Sequence, residues 1–592
     1  MSGLSAQGYK KCFFVGGGNS MHLLESASKL FECIPFVHEV SAAIAAEYFN
    51  AGAVNGEKAF VLVTAGPGLT NLISGIAGAW LDSRELLVIG GQSKSTNLAE
   101  GKVRQIGHQE VDGVGITRPI TKISRTLDSP ISNNELIGMV SQSWEDRKGP
   151  VFIEVCLDVS AMNIDVAQLE LIKNRSPNLI QESEAISPDL IQKFLNAKRP
   201  LLLFGGGVAR EIADSFRNTA EKYRLPIACT WTGADRCDFD YAYYAGRPNN
   251  YGMRWANVFQ QQADLLIAVG TSLGYQQTGF NTDEYLPLGS IIHVDIDKAE
   301  LQKNNPKRRY TINSSAKDFL VQLESMLNTH QPDYSEWTDF LAKIRFQLPI
   351  LEQCQISSAP FVSPQSVIKV VSEEAGNSDL IVAASSGGTF TATMQNFENK
   401  RGQILMGNKG LASMGYGLAG AIGLSLSRHQ SRVILFEGDG GFAQNMQELG
   451  TVVAQNQNIK IFITCNDGYA SIRTSQKSYF NGNYLGCDTD TGLQLPNWEL
   501  LAEAYGIRSY EINSETLYSK EFKDEFNSNK SVIFLIMADP EQMYLPKIMS
   551  KIGNNGSMVS SPLHDMFPKI DIDNSEIYPY FSTDLILNPN TN

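Results

Sequence analysis

Glu437-Gly438-Asp439-Gly440-Gly441-Phe442, followed by Asn466-Asp467-Gly468, is the stretch whose reading decides the fold. It sits between two apolar runs, Val433–Phe436 and Ile459–Thr464. Both read as strands of a parallel sheet buried on its two faces. The Gly-Asp-Gly-Gly turn then falls at the carboxyl end of the first strand and leads into a helix expected from about Gln444 to Gln455. Asn466 falls at the carboxyl end of the second. Open α/β sheets bind ligands along that edge. Glycines let backbone N–H groups approach phosphate oxygens closely. A carboxylate and a side-chain amide oxygen, together with diphosphate oxygens, suit octahedral Mg²⁺. Asp439 and Asn466 lie 27 positions apart, room for one strand–helix–strand unit. The bland alternative is that they cap two turns.

Working outward, composition sets bounds. At 592 residues the chain is too long for one core. A hydrophobic content of 43% and a charged content of 19% describe an ordinary globular protein. The net charge of −14, with no basic stripe, argues against nucleic acid as a partner. No apolar run is long enough to span a membrane. The start of the chain lacks a basic-then-apolar signal pattern, so a cytoplasmic location is expected. Eight cysteines without CxxC spacing read as reduced thiols rather than as a zinc site.

Three α/β blocks emerge. The first has apolar runs at Cys12–Val15, Phe60–Val63, Leu86–Ile89 and Val151–Val155, with helical patterns at Ser41–Gly52 and Leu69–Leu81. A polar, proline-bearing linker is expected at Lys173–Pro188. The second block runs from Pro200 through Leu265–Gly270 to Ile291–Asp297. Its Gly205-Gly206-Gly207 turn lacks GxGxxG spacing and reads first as a strand-to-helix turn, with a dinucleotide phosphate as the alternative. The segment from His330 to Pro364 reads as a connector with some helix. The third block adds strands at Leu380–Ala384 and Val532–Met537. The expected fold class is α/β, with three doubly wound parallel-sheet domains at 1–172, 189–330 and 365–567, and a tail at 568–592.

The string from Gly438 to Gly468 resembles the diphosphate-and-metal motif of thiamine diphosphate enzymes. That resemblance implies Asp439, the Asn466 side chain and the Gly468 carbonyl as Mg²⁺ ligands. Phe36-Val-His-Glu39, with Thr64-Ala-Gly-Pro67-Gly-Leu-Thr-Asn71 about 25 residues on, resembles the pyrimidine-binding domain of the acetolactate synthase family. The first block would then bind the pyrimidine, the second would be a central Rossmann-like domain, and the third would bind the diphosphate. In thiamine enzymes a carboxylate hydrogen-bonds N1′ of the aminopyrimidine and favours the form that acts as base. Glu39 is the residue carried over to that role.

Further motifs follow in the family's order. Pro67 and Asn71 belong to the GPG-x-TN turn. Gly388 and Thr389 align with the glycine turn that touches the diphosphate. Met414 aligns with the apolar residue that holds the cofactor bent. Gly438, Gly440, Gly441, Tyr469 and Ile472 are carried over as cofactor contacts. Gln109 and Lys122 are carried over as active-site lining. The resemblance also implies a homodimer or homotetramer with the active site shared between subunits.

The chain departs from the family in places. Ser475 stands about where biosynthetic acetolactate synthases carry a tryptophan, which removes an aromatic wall from the acceptor pocket. Arg473, nearby, would either meet an anionic acceptor or lie on the surface. His108 replaces an aromatic residue beside Gln109; it would hydrogen-bond substrate or simply pack. Gly270–Gly279 aligns with a segment that contacts flavin, but the usual acidic–arginine pattern is missing, so FAD in the central block stays open.

The implied activity is thiamine diphosphate-dependent decarboxylation of a 2-oxo acid, with pyruvate the lead substrate. The two-carbon unit then passes to a carbonyl acceptor, as in acetolactate synthases. The alternatives are a special-pathway carboligase acting on a larger ketone, such as a nucleotide-linked keto sugar, and a simple decarboxylase.

Overall fold

The computed structural model describes residues 1–163, 183–303, 306, 308–428, 431–552, 556, 558–582 and 585. Most of the expected linker at 173–188 and much of the tail lie outside the described residues.

The first sheet contains β1 (Tyr9–Phe14), β2 (Glu32–Pro35), β3 (Lys58–Val63), β4 (Leu86–Gln92), β5 (Ile123–Leu127) and β6 (Pro150–Cys156), in the order β2-β1-β3-β4-β6-β5. The second contains β7 (Pro200–Phe204), β8 (Ile227–Cys229), β9 (Leu265–Val269), β10 (Ser290–Asp295) and β11 (Arg309–Asn313), in the order β11-β10-β9-β7-β8. The third contains β12 (Leu380–Ala383), β13 (Ile404–Met406), β14 (Val433–Gly438), β15 (Ile459–Cys465), β16 (Arg508–Ile512) and β17 (Val532–Met537), in the order β13-β12-β14-β15-β17-β16. Every pairing within these three sheets is parallel.

The first and third sheets share one topology. In both, the first strand has the second on one side and the third on the other, so the winding direction reverses there. That reversal point opens a crevice at the carboxyl ends of the strands, where ligands bind. In the third sheet it lies between β12 and β14, which places Gly387–Thr389 opposite Asp439. In the first sheet it lies between β1 and β3, which places Gly16–Gly18 beside the Thr64–Asn71 turn.

The central strands are mostly apolar and buried, although β14 carries Glu437 and β15 carries Lys460. That is the signature of sheets covered on both faces. The first and third domains share a core through two helices, Glu39–Gly52 and Tyr416–Ser427. Small residues let their backbones approach: a Cβ on Gly423 would collide with the Ala45 carbonyl, and one on Gly420 would meet the Tyr48 ring. The central domain has its own core. The helix Ser335–Gln347, in the expected connector, inserts Trp337 into that core, with its ring stacked 3.9 Å from Phe259.

One expectation is corrected beside the motif. The chain does not run as a single helix from 444 to 455. A short helix at Asp439–Phe442, a 3₁₀ turn at Met446–Glu448 and a helix at Leu449–Ala454 follow β14 instead. The helix therefore starts at the motif itself, which places the Gly440 and Gly441 N–H groups at its open N-terminus.

Candidate functional site

In the third domain the aspartate is the hub. Asp439 Oδ2 accepts from the Asn466 and Gly468 N–H groups, both at 3.1 Å, and Oδ1 accepts from Gly440 N–H at 2.7 Å. One carboxylate thus ties the turn after β14 to the loop after β15. Burial pushes its carboxyl up to about 6, against the pull of those three N–H groups. The Asn466 carboxamide donates through Nδ2 to the Tyr544 hydroxyl at 3.4 Å. No described hydrogen bond uses its Oδ1. Among the described residues the Gly468 carbonyl accepts the Ala470 N–H alone, at 3.0 Å, in a tight turn centred on Tyr469 (φ −87°, ψ 69°).

Gly387–Thr389 opens the helix Gly387–Asn396 across the crevice. Thr389 donates to Thr464 Oγ1 at 2.9 Å, and its Oγ1 lies 3.8 Å from where a Cβ on Gly438 would stand. A Cβ on Gly440 would strike the Tyr469 ring, so the turn is closely backed on that side. Met414 is half-buried and belongs to no core cluster. The following Gly415 has φ 81°, and its carbonyl accepts from Asn445 at 2.7 Å. Beneath the turn Glu437 is fully enclosed, and burial pushes its carboxyl up to about 8.

In the first domain Glu39 is the first residue of its helix and 9% exposed. Its Oε2 accepts from Asn71 Nδ2 at 2.9 Å, so the two sequence-selected residues meet. Pro67 begins the short helix that carries Asn71 into place. Gln109 adopts φ 57°, and its backbone fills the space a Cβ on Gly66 would need. The His108 carbonyl accepts from Ser93 Oγ at 2.9 Å and from Asn19 Nδ2 at 3.3 Å, while its side chain is exposed. Gln109 and His108 thus stand at the ligand edge of the first sheet.

Lys122 does not stand there. It precedes β5, at the amino-terminal edge of the parallel sheet, opposite the strand ends that carry Glu39 and Gln109. Its Nζ donates to the Glu145 carbonyl at 2.7 Å and its stem packs on Gly149. A matched segment does not say which end of a strand a residue occupies.

Arg473 is corrected too. It is neither a surface residue nor open to an acceptor: it is 6% exposed, and one nitrogen donates to the Asn466 carbonyl at 2.6 Å and to the Pro540 carbonyl at 3.1 Å. Ile472 and Ser475 are exposed on the same helix, Ala470–Tyr479.

Two contributors were given no role in the sequence reading. Glu448, fully buried, accepts from the His38 N–H at 3.0 Å and the Val37 N–H at 3.4 Å, which anchors the strand end before Glu39. Its sequence signal was weak: one carboxylate in a segment that also carries Gln444, Asn445 and Gln447. Tyr544 is the other.

The central turn is closed. Gly205 N–H donates to the Val269 carbonyl and Gly207 N–H to the Gly270 carbonyl, each at 2.9 Å. These glycines pack against Gly270 at that sheet's own reversal point, so the turn does not fit a dinucleotide phosphate.

Family comparisons agree with this geometry. The thiamine pyrophosphate (thiamine diphosphate) enzyme models match in chain order: the N-terminal TPP binding domain at residues 1–116, the central domain at 188–323 and the C-terminal TPP binding domain at 386–536. The acetolactate synthase large subunit of Pyropia yezoensis is 30% identical over 86% of this chain and 85% of its own length. That of Lactococcus lactis is 30% identical over 92% and 91%, and the isozyme 2 large subunit of Escherichia coli is 27% identical over 93% and 97%. The chain belongs to the thiamine pyrophosphate enzymes of acetolactate synthase type.

As a thiamine pyrophosphate enzyme it is a cofactor-dependent carboligase. The crevice of its third domain fits the diphosphate end of that cofactor: a glycine-opened helix on one side, and carboxylate, carboxamide and carbonyl oxygens on the other. Among the described residues no cluster of three or more His, Cys, Asp or Glu side chains could hold a metal. A cation held together with diphosphate oxygens would need only one carboxylate from the protein. Among the described residues, too, no helix is long and apolar enough to cross a membrane.

Proposed function

We propose that this enzyme decarboxylates a 2-oxo acid, pyruvate first, and transfers the two-carbon unit to a carbonyl acceptor. The observation that carries the reading is the Asp439 carboxylate, which joins the Gly438–Gly441 turn to the Asn466–Gly468 loop. Bound thiamine diphosphate supplies the electron sink for loss of CO₂. Asp439, Asn466 Oδ1 and the Gly468 carbonyl would hold Mg²⁺. Gly388, Thr389, Gly438, Gly440 and Gly441 face the diphosphate. Met414 would support the cofactor, and Tyr469 and Ile472 would contact it.

Glu39 holds a proton against N1′ of the aminopyrimidine, and Asn71 fixes the orientation of its carboxylate. Gln109 and His108 face the substrate. Glu39 of one subunit serves the diphosphate half of another, so at least a homodimer is inferred.

Two pyruvates condensing to acetolactate is the lead reaction. The purified enzyme, with pyruvate as the sole substrate, is expected to release CO₂ and form acetolactate. CO₂ release without acetolactate would sink that assignment.

A larger acceptor is the second reading. The exposed run of Ile472, Ser475, Tyr479 and Phe480 leaves the face beside the metal loop open. A nucleotide-linked keto sugar would have room there. Product mass spectrometry with pyruvate plus a panel of aldehydes, ketones and keto sugars separates the two readings. A simple decarboxylase would release aldehyde whatever the acceptor. The closed central turn lends FAD no support, and absorbance near 450 nm tests for it.

A further inference from the structure

The segment after β17 is strapped across the candidate diphosphate site. Arg473 holds the Pro540 carbonyl at 3.1 Å and Lys477 pairs with Glu541. Gln542 donates to the Gln355 carbonyl at 3.1 Å, and Gln355 donates back to the Leu545 carbonyl at 3.0 Å. Gln395 donates to the Pro546 carbonyl at 2.9 Å. Five residues of the strap are thus fixed on both sides of Tyr544, and the Tyr544 side chain turns inward.

Its ring lies on Gly388, where a Cβ would overlap the ring carbons. Its hydroxyl lies 3.4 Å from Asn466 Nδ2, with the Thr389 hydroxyl beside it. The phenol therefore stands between the glycine-opened helix and the metal loop.

The hydrogen-bond inventory gives the hydroxyl a task. A phenol has one proton to donate and lone pairs to accept with. Accepting from Asn466 Nδ2 fixes which way that carboxamide points, and leaves Oδ1 for a cation. Thr389 spends its own proton on Thr464. The phenol proton is therefore free to go to Thr389 or to an anionic oxygen between the two elements. A phenol keeps that proton at neutral pH.

We propose that Tyr544 is a diphosphate-site residue: it positions the Asn466 carboxamide for Mg²⁺ and donates its hydroxyl proton to a diphosphate oxygen. This rests on the functional reading above. It adds a residue of the carboxyl-terminal strap to a site otherwise built from the turns after β12, β14 and β15.

The test is calorimetric binding without pyruvate, using Mg²⁺–thiamine diphosphate and Mg²⁺–inorganic diphosphate as probes, on wild type and Tyr544→Phe. The phenylalanine ring still covers Gly388, so packing is conserved. Loss of a hydrogen bond to a charged group predicts about tenfold weaker binding of both probes. The cofactor-free melting temperature should not move. Unchanged affinity for both probes would overturn the proposal. So would tighter binding by Tyr544→Ala, which would make the ring a plug rather than a ligand. If wild type binds neither probe, the cofactor reading itself falls, and this proposal with it.

Discussion

Glu39 and Asn71 are 32 positions apart in sequence yet share a 2.9 Å hydrogen bond, and that contact gives the proton-handling assignment its sharpest test. Glu39→Gln keeps the size and the Asn71 contact but removes the ionisable group. Decarboxylation of pyruvate should fall roughly 10²- to 10⁴-fold, the usual worth of a positioned acid–base group. Binding of Mg²⁺–thiamine diphosphate, read by calorimetry, should persist, because the metal and diphosphate contacts lie in the other half of the site. Full decarboxylation by this variant would refute the role of Glu39. Residues of this kind were legible because each sits in a word of several matched letters. Lys122 also sat in such a word, but the word spanned a strand start, and the side chain went to the wrong edge of the sheet. Arg473 was illegible for a different reason. Its partners are carbonyls of Asn466 and Pro540, and backbone acceptors leave no mark in sequence.

At the scale of elements, the two interlocked helices explain why the first and third domains form one body. The runs Ala42–Ala46 and Gly417–Gly423 announce close approach, but nothing in either says that the other is its partner. Gly423 is the tightest point, facing the Ala45 carbonyl. Gly423→Leu must drive the helices apart, and overpacking of this sort costs about 1–3 kcal/mol or more. A lower thermal midpoint with retained far-ultraviolet circular dichroism is expected. An unchanged midpoint would mean that the helices do not pack as described. The strands that sequence located, such as β4, β9, β14 and β15, are buried and mostly apolar. Those it did not are the edge strands of the three sheets: β2, β5, β11 and β16 are partly exposed with mixed polarity, and β8 and β13 are buried but only three residues long. Sheet order depends on those edges, so the reversal points that position both halves of the site could not be read before the strands were paired.

At the scale of the whole molecule, two predictions separate the scaffold from the assembly. Burial holds His293 down to about 4 and His564 down to about 3, each with a basic neighbour, Arg309 and Lys569, adding to the effect. Unfolded, each returns to about 6.5. The folded chain thus binds fewer protons than the unfolded one in that window. The stability these neutral imidazoles give is intact above about pH 6.5 and is lost as pH falls toward 4, on the order of 3 kcal/mol for each. A melting temperature flat above neutrality and falling below it is expected, with a shallower fall in the His293→Gln, His564→Gln variant. An equal slope in that variant would assign the acid sensitivity elsewhere. The assembly is tested by mixing defects. Glu39 lies in the first domain and Asp439 in the third, so Glu39→Gln and Asp439→Asn each inactivate one half of a site. If every site joins the first domain of one subunit to the third domain of another, a mixed dimer has one doubly damaged site and one intact site. Random pairing of equal amounts then restores about a quarter of wild-type activity. If both halves of a site come from one chain, every chain in the mixture carries a broken site and nothing is restored. Co-expressing the two inactive variants and assaying CO₂ release from pyruvate distinguishes these outcomes, because only a site shared across the subunit boundary can assemble Glu39 and Asp439 from two defective chains.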